Sequence, residues 1–191
     1  MSDDGRRWSA AASGIIDRAA AGSGSASKKI ERIGKKSEVE QSMSDKNKTH
    51  YEVIVIGAGV AGIYQIKLLA DLGVDATVLD AAGDLGGTWY WNRYPGARFD
   101  SESYTYGFSF SKELLNEWHW KERFSGQPEN LKYLNYVTDK FDLRKYMQFN
   151  CKVESMHWDD ATDNWRVKVA DGRELTARFV VMAIGLLSIP T

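Results

Sequence analysis

The chain has 191 residues, of which 43% are hydrophobic and 27% charged, so we expect a soluble globular protein with a core of its own. Its 25 basic and 26 acidic residues give a formal net charge of -1, which provides no electrostatic reason to expect nucleic acid or an anionic membrane as a partner. The single cysteine, Cys151, excludes an internal disulfide and fits a reducing, cytoplasmic setting, and the three histidines have no metal-ligand spacing.

Residues 1–48 differ in composition from the rest of the chain. They are rich in Ala, Ser, Gly and charged residues and have little apolar periodicity, so we predict a disordered N-terminal extension. Met43 stands just before the first ordered segment and is the expected natural start. Residues 49–191 are expected to form the folded part. No apolar run in the sequence reaches the length of a membrane-spanning helix.

The first predicted elements are a strand, a helix and a second strand. Residues 51–57, with the β-branched run YEVIVIG, are typical of a strand that is covered on both faces. Residues 60–72 carry apolar side chains at helical spacing and are followed by Gly73, which predicts a helix with a glycine at its end. Residues 76–80, ATVLD, predict the second strand.

Two further helices are predicted in the middle of the chain. Ser111 is placed to cap a short helix that runs to Trp118. Pro128, at a first-turn position, opens a longer helix. The longer helix has an apolar stripe that consists of Leu131, Leu134, Val137 and Phe141.

The hydrophobic period changes from helical to alternating after these helices. Residues 147–153 and 165–169 alternate, which predicts short antiparallel strands with turns at DDATDN and at Asp171-Gly172. Residues 179–185, FVVMAIG, predict a continuous buried strand. The order of elements predicts the α/β class: an incomplete, Rossmann-like doubly wound parallel sheet with an inserted antiparallel β-meander.

A GxGxxG motif, GAGVAG at residues 57–62, follows the first strand and opens the first helix. We expect Gly57 to permit the tight turn, Gly59 to let the backbone approach a pyrophosphate, and Gly62 to allow close packing of helix on strand. Asp80 ends the second strand at about the position where an acid bonds ribose hydroxyls. Because this acid would repel a 2′-phosphate, the motif favours FAD or NAD over NADP but does not separate the first two.

The most specific segment is GGTWYWNRYPGARFD at residues 86–100, where two glycines precede a cluster of aromatic residues. With this run, the sequence resembles the Baeyer–Villiger monooxygenases of the flavin-dependent monooxygenase superfamily. The resemblance covers residues 51–191. It also includes GAGVAG, SESYTY, QPENLKYLNYVTDKFDL and MAIGLLSIP.

The resemblance implies that FAD occupies the glycine loop, and it identifies the contacts by matching residues. It assigns the pyrophosphate to the glycine loop together with Ala61, the adenosine ribose to Asp80 and the adenine to the backbone at Val153. Many relatives carry Glu at the position of Asp80. Gly86 and Gly87 would allow close approach to the cofactor, and the path to the isoalloxazine would be lined by Thr88, Trp89, Tyr90 and Trp91, with Tyr106 beyond the acid. Trp89 and Trp91 are equally compatible with an ordinary aromatic core.

The resemblance also implies that Asp100 is the acidic residue of the catalytic site, beside the flavin and the nicotinamide. Its expected partner is an arginine from a later part of the family's chain. The alternative is that Asp100 caps the backbone of the SESY segment that follows it. Arg98 and Phe99 match the edge of the nicotinamide cofactor in the family.

The implied activity uses NADPH and O2 to convert a ketone to an ester or lactone through a peroxyflavin. Because the sequence contains no second GxGxxG, we expect the NADPH domain and the C-terminal part of the FAD domain to be absent, and this chain alone to be inactive. Two alternatives stay open. One is a flavin monooxygenase that oxidises nitrogen or sulfur, and the other is a non-catalytic dinucleotide-binding module.

Overall fold

The computed structural model describes residues 48–187, and from Thr49 onwards these residues form one compact unit. The predictions of an N-terminal extension over residues 1–48 and of a start at Met43 therefore lie, apart from Lys48, outside the described residues. No helix within residues 48–187 has the length and apolar character needed to span a bilayer.

Six strands of the described part form one mixed sheet with the order β3-β2-β1-β6-β5-β4. The central strand β1 pairs in parallel with β2 and β6, β2 pairs in parallel with β3, and β4, β5 and β6 pair antiparallel. The strands are β1 (His50–Ile56), β2 (Ala76–Leu79), β3 (Met147–Gln148), β4 (Val153–Asp159), β5 (Asn164–Val169) and β6 (Glu174–Met182). The predicted Rossmann-like fold with an antiparallel meander is confirmed.

Four α-helices accompany the sheet in the described residues: α1 (Val60–Asp71), α2 (Thr88–Trp91), α3 (Lys112–Glu117) and α4 (Gln127–Lys140). Two short 3-10 helices lie at Ser103–Tyr106 and Arg144–Tyr146. The predicted caps are confirmed, because the Ser111 hydroxyl accepts the Leu114 N–H at 3.1 Å and Pro128 lies in the first turn of α4. Helix α2 was not among the elements predicted from the sequence.

The sheet has a hydrophobic cluster on each face. The larger one packs α1 and α4 against the sheet and includes Val55, Ile63, Ile66 and Leu134, all fully buried. The second lies on the opposite face and includes Ile54, Leu79, Val167 and Leu175, which are also fully buried. At about 25 cal/mol per Å² of buried apolar surface, burial of such side chains is the main favourable term for folding.

The prediction of one alternating strand over residues 147–153 is wrong. Met147 and Gln148 pair in parallel with β2, whereas Val153 begins β4 on the other side of the sheet. Between them Asn150 adopts a left-handed conformation, with φ 56°, and its N–H donates to the Ala82 carbonyl at 2.8 Å. The chain therefore crosses the end of β2 at this point, and its alternating pattern spans two different strands.

The prediction that residues 179–185 are continuously buried is also wrong. Phe179 is 51% exposed and Met182 54% exposed, although both lie within β6. The two edges of β6 are hydrogen-bonded to β1 and β5, so its backbone is satisfied as in a central strand. No described element covers these side chains. The apolar run of residues 179–185, which is typical of a strand covered on both faces, is therefore partly exposed.

Candidate cofactor site

The glycine loop turns the chain from β1 into α1, and two of its glycines are required by the protein's own packing. Gly57 has a φ of 106°, and a Cβ there would lie 2.4 Å from the Ala183 carbonyl oxygen. A Cβ on Gly62 would lie 1.8 Å from the Gly57 carbonyl oxygen. The tight turn at Gly57 and the close packing at Gly62 are therefore as the motif predicted.

Gly59 differs from these two, since the surrounding protein leaves room for a side chain. A Cβ on Gly59 would meet only the Gly87 backbone, at an ordinary contact distance of 3.4 Å. Gly59 is the N-cap of α1, no side chain caps the helix, and its first turn contains no acid. Among residues 48–187 the N–H groups of Gly59, Val60 and Ala61 have no acceptor. Free amides at the positive end of a helix dipole constitute an anion site.

A second loop, residues 80–87, packs directly on the glycine loop. Each oxygen of the Asp80 carboxylate accepts one backbone N–H, from Ala58 at 2.5 Å and from Ala82 at 2.7 Å. The Gly86 N–H donates to the Ala58 carbonyl at 3.0 Å. Gly87, with φ 53°, approaches so closely that a Cβ on it would lie 2.8 Å from the Gly59 Cα. Asp80 thus joins the two loops and retains acceptor capacity for a ligand hydroxyl.

The aromatic run divides between the protein core and the surface. Trp89 is only 6% exposed, and its indole Nε1–H donates to the Tyr106 hydroxyl oxygen at 2.7 Å. Phe99 is buried as well and stacks on Tyr106 with ring centroids 4.6 Å apart. Trp91, by contrast, is 60% exposed and meets Tyr90 edge to face at 5.0 Å. The rings of Trp89 and Phe99 therefore belong to an aromatic core, while Tyr90 and Trp91 lie towards the surface.

Tyr106 lies where this aromatic core meets a cleft of about 480 Å³ whose other walls include Ala61, Tyr64 and Phe108. Burial raises the pKa of the Tyr106 hydroxyl, and the hydrogen bond from Trp89 offsets part of that shift. The hydroxyl is therefore neutral at physiological pH. Because the indole can only donate, Tyr106 accepts from Trp89 and keeps its own proton available for a ligand acceptor.

Asp100 is exposed, and its carboxylate has no hydrogen-bond or ion-pair partner among residues 48–187. The alternative in which it caps SESY is wrong, because the Ser103 N–H donates to the Arg123 carbonyl at 2.7 Å. The 3-10 helix that follows begins after Glu102 without any side-chain cap. The acid thus has its acceptor capacity unused within this part of the chain.

The neighbouring Arg98 is engaged elsewhere. Its guanidinium donates to the Glu122 carboxylate at 3.1 Å and to the Phe124 carbonyl at 3.2 Å. Val153, at the start of β4, is half-buried against the second core cluster. The preceding Cys151 donates its N–H to the Asp80 carbonyl at 2.8 Å, which brings the start of β4 to the end of β2.

The model of the NAD(P)-binding Rossmann-like domain family matches residues 55–118, which span both loops and the aromatic run. A Baeyer-Villiger monooxygenase of Pseudooceanicola batsensis is 46% identical over 139 residues, which are 72% of this chain and 26% of that protein. The phenazine N-monooxygenase of Lysobacter antibioticus is 45% identical over 147 residues, 76% of this chain and 27% of that protein. The chain is homologous to the N-terminal quarter of Baeyer–Villiger monooxygenases.

Solved structures of Baeyer–Villiger monooxygenase relatives have the same fold in this region. An oxidised steroid monooxygenase bound to NADP superposes with a TM-score of 0.73 at 47% identity, over 75% of this chain and 27% of its own. The OTEMO complex with FAD and NADP superposes with a TM-score of 0.70 at 42% identity, over 74% of this chain and 27% of its own. The family that residues 86–100 indicated is confirmed, and the chain spans about a quarter of the length of the relatives it matches.

Two residues that hold the site together, Gln127 and Arg144, were not predicted from the sequence. The buried Gln127 side chain donates its Nε2–H to the Trp89 carbonyl at 2.5 Å, which attaches α2 to the start of α4. Arg144 donates Nη1–H to the Asp84 carboxylate at 2.9 Å and so attaches the second loop to the region after α4. No local pattern marks either residue, because the partners are 38 and 60 positions away.

Proposed function

We propose that residues 49–191 are the N-terminal portion of the FAD-binding domain of a flavin-dependent monooxygenase. The observation that carries this proposal is the set of free amides at Gly59, Val60 and Ala61, beside a glycine that leaves the backbone open to close approach. A diphosphate fits such a site because it supplies the negative charge and the acceptors that these donors lack. Homology to Baeyer–Villiger monooxygenases, and FAD in the OTEMO complex, support FAD as the dinucleotide.

The other cofactor contacts are proposed from the positions of their residues around the two loops. We propose that Asp80 accepts from a ribose hydroxyl and that the surface rings of Tyr90 and Trp91 contact a flat apolar group. Buried Trp89 and Phe99 support the site through Tyr106 and are not expected to touch the cofactor with their ring faces. The other proposed cofactor contacts are Gly57, Gly62, Gly87, Thr88, Arg98 and Val153.

FAD, when bound, supplies redox chemistry in which NADPH is the reductant and O2 the source of the inserted oxygen. The chain's own contribution is to bind and orient the cofactor and to exclude water with its aromatic residues. The free Asp100 carboxylate is placed to hold a cationic group such as the arginine that the family resemblance implies. Neutral Tyr106 provides one hydrogen-bond donor beside the start of α1.

A ketone is the proposed substrate of the complete enzyme, with an ester or lactone as product. The likeness to a phenazine N-monooxygenase at 45% identity supports nitrogen oxidation as a second candidate. Because this chain spans about a quarter of its relatives, we propose that it does not oxygenate either substrate alone. NADPH consumption by an extended chain with a cyclic ketone, an amine and a sulfide separates the candidates. A cytoplasmic location is part of the proposal and rests on the single cysteine.

Titration of the 191-residue chain with FAD, followed by flavin fluorescence and absorbance, tests the proposal, with Gly59→Ala as the informative variant. Since the structure has room for a Cβ at Gly59, the variant is expected to fold. The added methyl group occupies the space that a diphosphate would use, so we expect FAD affinity to fall by at least about tenfold. Gly126→Ala is the matched control, because Gly126 is the uncapped N-cap glycine of α4 and its Cβ would meet only ordinary contacts.

Both variants are expected to lose about 0.5–1 kcal/mol of stability, the cost of alanine at an N-cap. Only Gly59→Ala should lose FAD affinity. Equal FAD affinity in the two variants would contradict a diphosphate at the start of α1. A folded wild-type chain that takes up no FAD would favour the non-catalytic dinucleotide module.

A further inference from the structure

A guanidinium group anchors the second loop of the site from outside it. Arg144 lies in the 3-10 helix after α4 and bonds three side chains in two segments of the chain. Its Nη1–H donates to the Asp84 carboxylate at 2.9 Å, its Nε–H donates to the Asp139 carboxylate at 2.7 Å, and its Nη2–H donates to the Asn135 side-chain oxygen. One side chain thus joins the second loop to two positions of α4.

The contact at Asp84 continues into the glycine loop through consecutive backbone groups. The same Asp84 oxygen accepts the Leu85 N–H at 2.8 Å, and Leu85 is fully buried. The next residue, Gly86, donates its N–H to the Ala58 carbonyl, and Gly87 then packs on Gly59. Every residue from Asp84 to Gly87 is therefore fixed by a named contact, and the series ends against Gly59, whose N–H has no acceptor among residues 48–187.

We propose that Arg144 is a positioning residue that holds the second loop against the glycine loop and so preforms the cofactor site. This inference rests on the proposed function for its cofactor, but the anchoring itself does not depend on any ligand. The planar guanidinium is suited to three acceptors in fixed directions, whereas a lysine ammonium would act as a single point charge.

The expected effect is on local order and affinity more than on global stability. The Arg144 and Asp84 side chains are 39% and 44% exposed, and partly exposed ion pairs contribute little to the free energy of unfolding. The second loop has no strand or α-helix of its own before α2, so its order depends on these contacts. Loss of the anchor should therefore let the loop open locally while the sheet and α1 remain folded.

The test compares Arg144→Gln with Arg166→Gln in the full 191-residue chain. Arg166 is the matched control, because it pairs with Asp159 at 3.5 Å within the β4–β5 hairpin and has no contact with the site. Amide hydrogen exchange of residues 85–87 is measured without FAD, and FAD affinity is measured by fluorescence titration. In Arg144→Gln we expect exchange at these amides to quicken and FAD to bind about fivefold more weakly, while Arg166→Gln leaves both values unchanged.

A second variant guards against a general folding defect. Asp84→Asn keeps an oxygen for the Leu85 N–H but removes the charge that pairs with Arg144, so it should show the same changes in smaller measure. Unchanged exchange at residues 85–87 in both site variants overturns the inference. Faster exchange with unaltered FAD affinity overturns it as well. If the wild-type chain binds no FAD, the proposed function fails, and the exchange measurement still decides whether Arg144 anchors the loop.

Discussion

At the residue scale, the three glycines of the GxGxxG motif are required for different physical reasons. Gly57 is fixed by its backbone conformation and Gly62 by the Gly57 carbonyl oxygen, so both are explained by the protein alone. Gly59 has an ordinary φ of -82° and space for a Cβ, and its proposed reason is therefore the ligand. Alanine substitutions at the three positions are therefore expected to have different effects on stability and on ligand binding.

Gly62→Ala is expected to reduce the free energy of unfolding by about 3 kcal/mol, the upper part of the range for overpacking, because the new methyl group overlaps backbone that cannot move away easily. Urea denaturation of Gly62→Ala beside Gly59→Ala measures the difference, with about 1 kcal/mol or less expected for the latter. Similar losses in the two variants would show that the Gly57 carbonyl does not set the packing limit at Gly62.

Residues of the aromatic run illustrate what could be predicted from sequence and what could not. The segment around Trp89 was specific enough to indicate the family, which the homologues confirm. Its composition could not show that Trp89 faces Phe99 and Tyr106 while Trp91 is exposed, because that division depends on contacts with residues 10 and 17 positions away. Asp100 likewise had two interpretations, of which the hydrogen bonds of the SESY segment exclude capping, while its catalytic role stays a prediction.

At the scale of elements, prediction succeeded where the signal was local. Helices α1 and α4 follow from apolar spacing and a first-turn proline, and β1 and β2 from short β-branched runs. It failed over residues 147–153, since an alternating pattern does not reveal which strands it pairs with. The anchoring of the second loop by Arg144 was equally invisible, because its partner Asp84 is 60 positions earlier.

On the scale of the whole molecule, burial of tyrosine hydroxyl and cysteine thiol groups makes the free energy of unfolding decrease at alkaline pH. Burial raises the pKa of the Cys151 thiol, an effect partly offset by the Arg173 guanidinium 3.0 Å away, and burial also raises the pKa of Tyr106 and Tyr133. The folded chain therefore holds these protons more tightly than the unfolded chain. Stability from this source is complete below the ordinary pKa of each group and is lost as the pH rises through the raised value.

The free energy of unfolding is accordingly expected to decline once the pH passes about 9, the ordinary pKa of a thiol, and more steeply near 10, where tyrosines begin to titrate. Chemical denaturation at a series of pH values measures this decline. Cys151→Ser is the control and should remove the first part of the decline while keeping the second. A flat profile across this range, identical in the two proteins, would show that burial of these groups does not govern alkaline stability.

The central claim is that FAD lies with its diphosphate at the start of α1, between the glycine loop and the second loop. Amide hydrogen exchange of the full chain with and without saturating FAD tests it most directly, because one experiment measures the site together with the far end of the β4–β5 hairpin, which has no proposed contact with FAD. We expect slower exchange at residues 57–62 and 85–91 and no change at residues 159–165, which form the end of the β4–β5 hairpin away from Val153. Protection confined to other segments, or none at saturation, would contradict it.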